Sequence, residues 1–171
     1  AGKGTRMRSK YPKVLHKVGG KPMLQHVIDA ASVAGCDEKV VIVGHEAELV
    51  EAMVGSQGKI ALQAEQLGTG HAVMQTAEAL KGFTGTALIL CGDTPLLEGE
   101  ELKKFCEAHK ASGAAATVLT AIMDDPFGYG RIVRDANGNV QAIVEQKDAT
   151  EAQKAIKEIN TGIYCMECPL M

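Results

Sequence analysis

The chain has 171 residues, of which 46% are hydrophobic and 23% charged, with a formal net charge of −3. These values fit one domain or most of one, long enough to bury a core. They exclude the overall basic character of a nucleic-acid binder, and no apolar run approaches the ~18 residues of a membrane span. Neither nucleic acid nor membrane is therefore expected as a partner. The five cysteines are scattered and odd in number (Cys36, Cys91, Cys106, Cys165 and Cys168), which predicts reduced thiols and a cytoplasmic location. Cys165 and Cys168 form a CxxC with no second pair to complete a zinc site, so they read as a strand end running into a loop.

Charge is distributed unevenly. Seven of the first 21 residues are Lys or Arg, and the first acidic residue is Asp29. Local positive charge in a mildly acidic chain suits a small anionic ligand. Next, "KPMLQHVIDAASVAG" has helical apolar spacing and stops at Gly35. "KVVIVG" reads as a buried strand, "HEAELVEAMVG" as a helix and "KIALQA" as a strand. "GTGHAVMQTAEALKG" reads as a helix ending at Gly82. "TALILCGD" is a continuously apolar strand of the kind found in a parallel sheet covered on both faces. "EGEELKKFCEAHKASG" is a helix and "AAATVLTAIM" a strand. "GRIVRDANGNVQAIVEQ" reads as a hairpin turning at "DANG", "TEAQKAIKEI" as a short helix and "NTGIYCME" as a last strand. The alternation predicts an α/β fold with a Rossmann-like, mostly parallel mixed sheet and helices on both faces. In such sheets ligands bind beyond the carboxyl ends of the strands. Three stretches meet that rule: the opening loop, "AEQLGTG" and "CGDTP".

The opening Gly2-Lys3-Gly4-Thr5-Arg6 has glycines that let backbone amides approach a phosphate, and Arg6 can grip phosphate oxygens bidentately. It is neither a Walker A loop nor a dinucleotide fingerprint, because Met7 stands where a third glycine belongs. Lys13 follows Pro12, whose fixed φ stiffens the loop. Gly68-Thr69-Gly70 lies at a strand-to-helix junction with Gln63 upstream. Thr69 can also serve only as a helix N-cap, and Gln63 can read a base edge or face water. In Gly92-Asp93-Thr94-Pro95 the aspartate ends a buried strand, placed either to hold Mg²⁺ or to cap the next turn. Gly130, Glu145 and Asn160 suit sugar hydroxyls, although each alone is ordinary turn or edge chemistry. The five histidines show no ligand spacing and read as surface or helix residues. No nucleophile triad stands out.

Jointly, these stretches resemble the nucleotide-sugar pyrophosphorylases, whose signature is LAAGxGTRM…PK. "LQAEQLGTGHA", "CGDTPLL", "DDPFGYGRIVRD" and "IVEQKDATEAQKAIKEINTGIY" narrow the resemblance to the bacterial N-acetylglucosamine-1-phosphate uridylyltransferases, over essentially all 171 residues. The resemblance implies a Mg²⁺-dependent reaction of UTP with N-acetylglucosamine 1-phosphate, giving UDP-N-acetylglucosamine and pyrophosphate. It implies that Ala1 and Gly2 contact the nucleotide through backbone, and that Arg6 and Lys13 are catalytic. Gln63, Gly68 and Thr69 would hold uracil. Asp93 would hold the metal, flanked by Cys91 and Gly92, and Gly130, Glu145 and Asn160 would bind the amino sugar. It further implies an incomplete nucleotidyltransferase domain over residues 1–171, inactive or nearly so alone. The family's first strand, a second metal ligand and a β-helical acetyltransferase half are not in this sequence. In the family that half carries the contacts of a homotrimer, which is expected only of a longer parent. Rival readings are an isoprenoid-precursor cytidylyltransferase, which leaves "GTGHA" and "EINTG" unexplained, and a non-catalytic nucleotide-sugar binding module.

Overall fold

A computed structural model of the chain describes residues 7–9 and 11–168. A short 3-10 turn, Lys13–Leu15, leads into a two-residue-per-strand hairpin, β1 (Lys17–Val18) and β2 (Lys21–Pro22), which turns at Gly19-Gly20. Then come α1 (Met23–Val33), β3 (Val40–Val43), α2 (Ala47–Val54), β4 (Lys59–Leu62) and α3 (Thr69–Met74). After them follow β5 (Gly85–Ile89), α4 (Gly99–Ser112), β6 (Ala116–Ile122), β7 (Arg131–Arg134), β8 (Val140–Val144), α5 (Glu151–Lys154) and β9 (Glu158–Cys168). The apolar spacing of α1 is realised as expected: Met23, Leu24, Val27, Ile28, Ala30 and Ala31 are buried. Among the described residues no helix is long and apolar enough to cross a membrane.

Two cores meet at α1. On one side Leu24 and Ile28 pack with Leu15, Val43, Val50 and Val54, joining α1 to the 3-10 turn, β3 and α2. On the other, Ala30 packs with Leu102 of α4 and Ile163 of β9, with Leu88, Phe105 and Leu119 around them. Each such fully buried aliphatic side chain is worth ~1.5–3 kcal/mol over exposure. Gly99 starts α4 so close to α1 that an added Cβ would overlap Val33.

The strand directions differ from the sequence-based expectation. Among the described residues β3 and β4 pair in parallel, as a β–α–β unit should, but every other ladder is antiparallel. The sheet is organised by β9, which pairs antiparallel with β5, β6 and β7. The crossover from β5 through α4 to β6 does leave those two strands pointing the same way, but β9 lies between them. The unbroken apolar run of β5 reports half-burial along its whole length, not the direction of its neighbour. Regular helix in α3 also stops early, at Met74, with turns continuing towards Gly82. There the hydroxyl of buried Thr76 donates to the Val73 carbonyl at 2.7 Å, competing with the helical backbone. Finally, β9 ends at Cys168, so the CxxC forms the last four residues of a strand, at the strand end expected for it.

Candidate active site

The geometry of β9 creates the site. Residues 164–166 pair with β6 on one edge and β5 on the other, and Ile159 pairs with Ala121 of β6 and Arg131 of β7. Strands β5 and β7 therefore share one edge of β9, at opposite ends, and leave a gap between them. Within that gap β9 bulges: Leu119 of β6 faces Ile163 while Thr120 faces Asn160, so Thr161 and Gly162 are extra. The Thr161 hydroxyl donates to the Leu119 carbonyl at 2.6 Å, and Asn160 Oδ1 accepts from the Gly162 amide at 2.9 Å. Gly162 has φ +79°, a left-handed conformation that L side chains rarely adopt. An added Cβ there would also stand 3.1 Å from Cys91 Sγ. Gly162→Ala is expected to destabilise the fold by about 1–3 kcal/mol, read as a shift of the urea midpoint at unchanged m-value.

Cys91, Gly92 and Asp93 follow the carboxyl end of β5 at one side of the gap. Burial, and then the charge of Asp93, push the Cys91 thiol above its ordinary value, so it stays protonated. It donates to the Gly162 carbonyl at 3.7 Å. Gly92 sits so tightly on α1 and the 3-10 turn that an added Cβ would lie 3.3 Å from Leu24 and 3.5 Å from Val14. That close seat brings Asp93 onto the turn carrying Lys13. Lys13 Nζ donates to Asp93 Oδ2 at 2.6 Å, across 80 residues of sequence, with both side chains about one-third exposed. Among the described residues Asp93 caps no turn; the turn after it is closed by the Leu97 amide donating to the Thr94 carbonyl, and the Thr94 hydroxyl donates back to the Cys91 carbonyl at 2.7 Å.

Gly130, Glu145 and Asn160 meet at the other side. The Asn160 amide donates to the Gly130 carbonyl at 2.8 Å, and a Cβ on Gly130 would stand 3.3 Å from Glu145 Oε1 and 3.6 Å from Asn160 Cβ. Arg131, 1% exposed, anchors this corner: its guanidinium donates to the Tyr129 carbonyl and to Gln146 Oε1. Gln146 Oε1 also accepts from the Gly128 amide at 3.1 Å. Nothing in the sequence pattern marked Arg131 and Gln146 as this clamp.

Gln63 follows β4, and its backbone amide donates to the Val43 carbonyl at the end of β3. The side chain is buried at 2% exposure and does not face water. Its Nε2 donates to the Gly68 carbonyl at 3.1 Å and lies 3.1 Å from His71 Nδ1. Gly68 is the N-cap of α3, and Thr69 is the first helical residue with no capping bond. Among the described residues no hydrogen bond joins this loop to the Lys13–Asp93 pair. Both stand at carboxyl ends of strands above the Leu15–Leu24–Val43 core. Ala1, Gly2 and Arg6, the remaining expected contacts, lie outside the described residues.

A lysine and an aspartate at one side of the gap in the β9 edge, with a carboxylate–amide corner at the other, suit a phosphorylated, polyhydroxylic ligand and a hard cation. The nucleotidyl transferase family model matches residues 1–169. The bifunctional protein GlmU of Pelotomaculum thermopropionicum is 56% identical over 167 residues, which is 98% of this chain and 36% of that protein. The protein of the same name from Bacillus cereus strain AH187 is 57% identical over the same shares of each chain. The chain thus spans about a third of the length of these curated relatives. A solved structure from Bacillus anthracis, assigned as a glucose-1-phosphate thymidylyltransferase and crystallised with sucrose, superposes with a TM-score of 0.82. At 21% identity, over 97% of this chain and 68% of that one, it supports the α/β nucleotidyltransferase fold alone. The chain belongs to the nucleotidyl transferase family.

Proposed function

We propose that this chain is the uridylyltransferase region of an enzyme that makes UDP-N-acetylglucosamine and pyrophosphate from UTP and N-acetylglucosamine 1-phosphate. The observation that carries the reading is the gap in the β9 edge. It has a lysine–carboxylate pair at one side and the Gly130–Glu145–Asn160 corner at the other, joined by the Asn160–Gly162–Cys91 contacts. Sequence identity to the GlmU relatives supports the choice of substrates.

In this reading the sugar-phosphate oxygen attacks the α-phosphorus of UTP in line, and the bond to the departing pyrophosphate breaks. Such a reaction needs alignment and charge neutralisation, and no protein nucleophile. Lys13 neutralises phosphate charge between the two substrates, with Arg6 from the opening loop. Gln63 and the Gly68–Thr69 backbone hold uracil, and Ala1, Gly2, Cys91 and Gly92 border the nucleotide. Gly130 leaves room for the sugar, Glu145 accepts from its hydroxyls, and Asn160 offers the amide end that the Gly162 contact leaves free.

The donor set fits magnesium. Asp93 Oδ1 has no hydrogen bond among the described residues, and no group of three or more His, Cys, Asp or Glu gathers there. One carboxylate completed by substrate phosphates and water is how proteins usually hold Mg²⁺. Bound at Asp93, the ion supplies charge neutralisation across the triphosphate. A longer parent is where the proposed trimer belongs.

The test is pyrophosphate release by the full reading frame with N-acetylglucosamine 1-phosphate and Mg²⁺, comparing UTP, CTP and dTTP. UTP is expected to lead in kcat/KM, and release should stop on chelation. Equal turnover of CTP would favour a cytidylyltransferase, and tight UTP binding with no turnover a binding module. In the same assay, residues 1–171 alone are expected to be inactive or nearly so.

A further inference from the structure

We propose that His71 is a positioning residue for base selection: its Nδ1 holds the Gln63 amide so that Oε1 is presented to the base. This rests on the reading of Gln63 as the uracil contact. Gln63 has two N–H donors on Nε2 and one carbonyl oxygen. One N–H is taken by the Gly68 carbonyl at 3.1 Å, which accepts only, so the amide nitrogen must lie on that side. The other N–H points to His71 Nδ1 at 3.1 Å, which accepts when the ring proton is on Nε2. With both N–H groups engaged, Oε1 is the end left over. It has no hydrogen-bond partner among the described residues.

An acceptor in that place separates pyrimidines. Uracil carries N3–H and can donate to Oε1. Cytosine carries a lone pair at N3, which faces the same oxygen as acceptor against acceptor. A freely rotating glutamine would flip and greet either base, so selection depends on what fixes the amide. The Gly68 carbonyl cannot do this alone, because it belongs to an exposed loop that forms the same site. His71 is on α3, one turn from the loop, and Gln75 Nε2 donates to the His71 carbonyl at 2.9 Å. The imidazole is thus a second, helix-borne anchor for a buried amide.

The experiment measures kcat/KM for UTP and CTP in the full-length protein and in His71→Ala, His71→Asn and His71→Gln. Asparagine places an oxygen near the position of Nδ1, whereas glutamine places its polar atoms near Nε2. The UTP-over-CTP ratio is expected to fall about tenfold in His71→Ala and His71→Gln, the weight of roughly one neutral hydrogen bond. The loss should appear in KM for UTP more than in kcat, and His71→Asn should keep most of the ratio. An unchanged ratio in the alanine and glutamine variants overturns the proposal, as does an equal loss in all three. The underlying reading fails separately: it falls if the wild-type protein does not prefer UTP, or if Gln63→Ala leaves the ratio unaltered.

Discussion

Lys13→Ala in the full reading frame is expected to lower kcat/KM for both UTP and the sugar phosphate about 10²–10³-fold, the usual cost of losing one preorganised charge-stabilising donor. Pyrophosphate release under pseudo-first-order conditions measures it. Lys13 is held by Pro12 and the 3-10 turn, with Leu15 buried two residues on, so its ammonium is placed before any ligand arrives. Lys13→Arg should not restore the rate, because a planar guanidinium does not replace a compact ammonium beside a carboxylate 2.6 Å away. Lys13→Ala should bind Mg²⁺ at least as well as wild type, since the ammonium it removes competes with the cation for Asp93 Oδ2. An unaltered kcat/KM would remove Lys13 from the mechanism.

Asp93→Asn is expected to have the opposite effect on metal binding. Activity should fall by more than about 10²-fold, and calorimetric titration of Mg²⁺ with the nucleotide present should show weaker binding, because a neutral amide is a poor ligand for a hard cation. Lys13→Ala and Asp93→Asn thus share an activity loss and differ in the sign of the metal effect. A purely structural ion pair, this exposed, would contribute ~0–1 kcal/mol to stability and would give two variants with the same mild phenotype. Equal Mg²⁺ affinity in wild type and Asp93→Asn would move the metal elsewhere.

Local pattern carried the elements well. The apolar spacing of α1, the β-branched run of β3, and "DANG" between β7 and β8 all lie where the period and the turn chemistry put them. The residue pair Lys13 and Asp93 was legible as two separate basic and acidic features, but its ion pair spans 80 residues and has no local signal. Strand direction was illegible for the same reason: continuous burial of β5 is compatible with a neighbour running either way. His71 has no distinguishing spacing, and its role emerges only when α3 folds it against Gln63. Arg131 read only as one residue of the predicted hairpin, and its burial comes with the hairpin's return past Gln146.

The central position of β9 bears on the order in which the molecule is made. The strand that β5, β6 and β7 all pair with is the last of the described elements to be synthesised. Until Cys168 has emerged from the ribosome, the facing edges of β5 and β6 have no partner, and exposed strand edges invite pairing with other chains. The β3–α2–β4 unit closes over short separations, whereas the Lys13–Asp93 site waits for a contact 80 residues apart, a topology that folds slowly. Nascent chains stalled within β9 should therefore hold a formed first core, an open cleft and the molecule's greatest need of a chaperone.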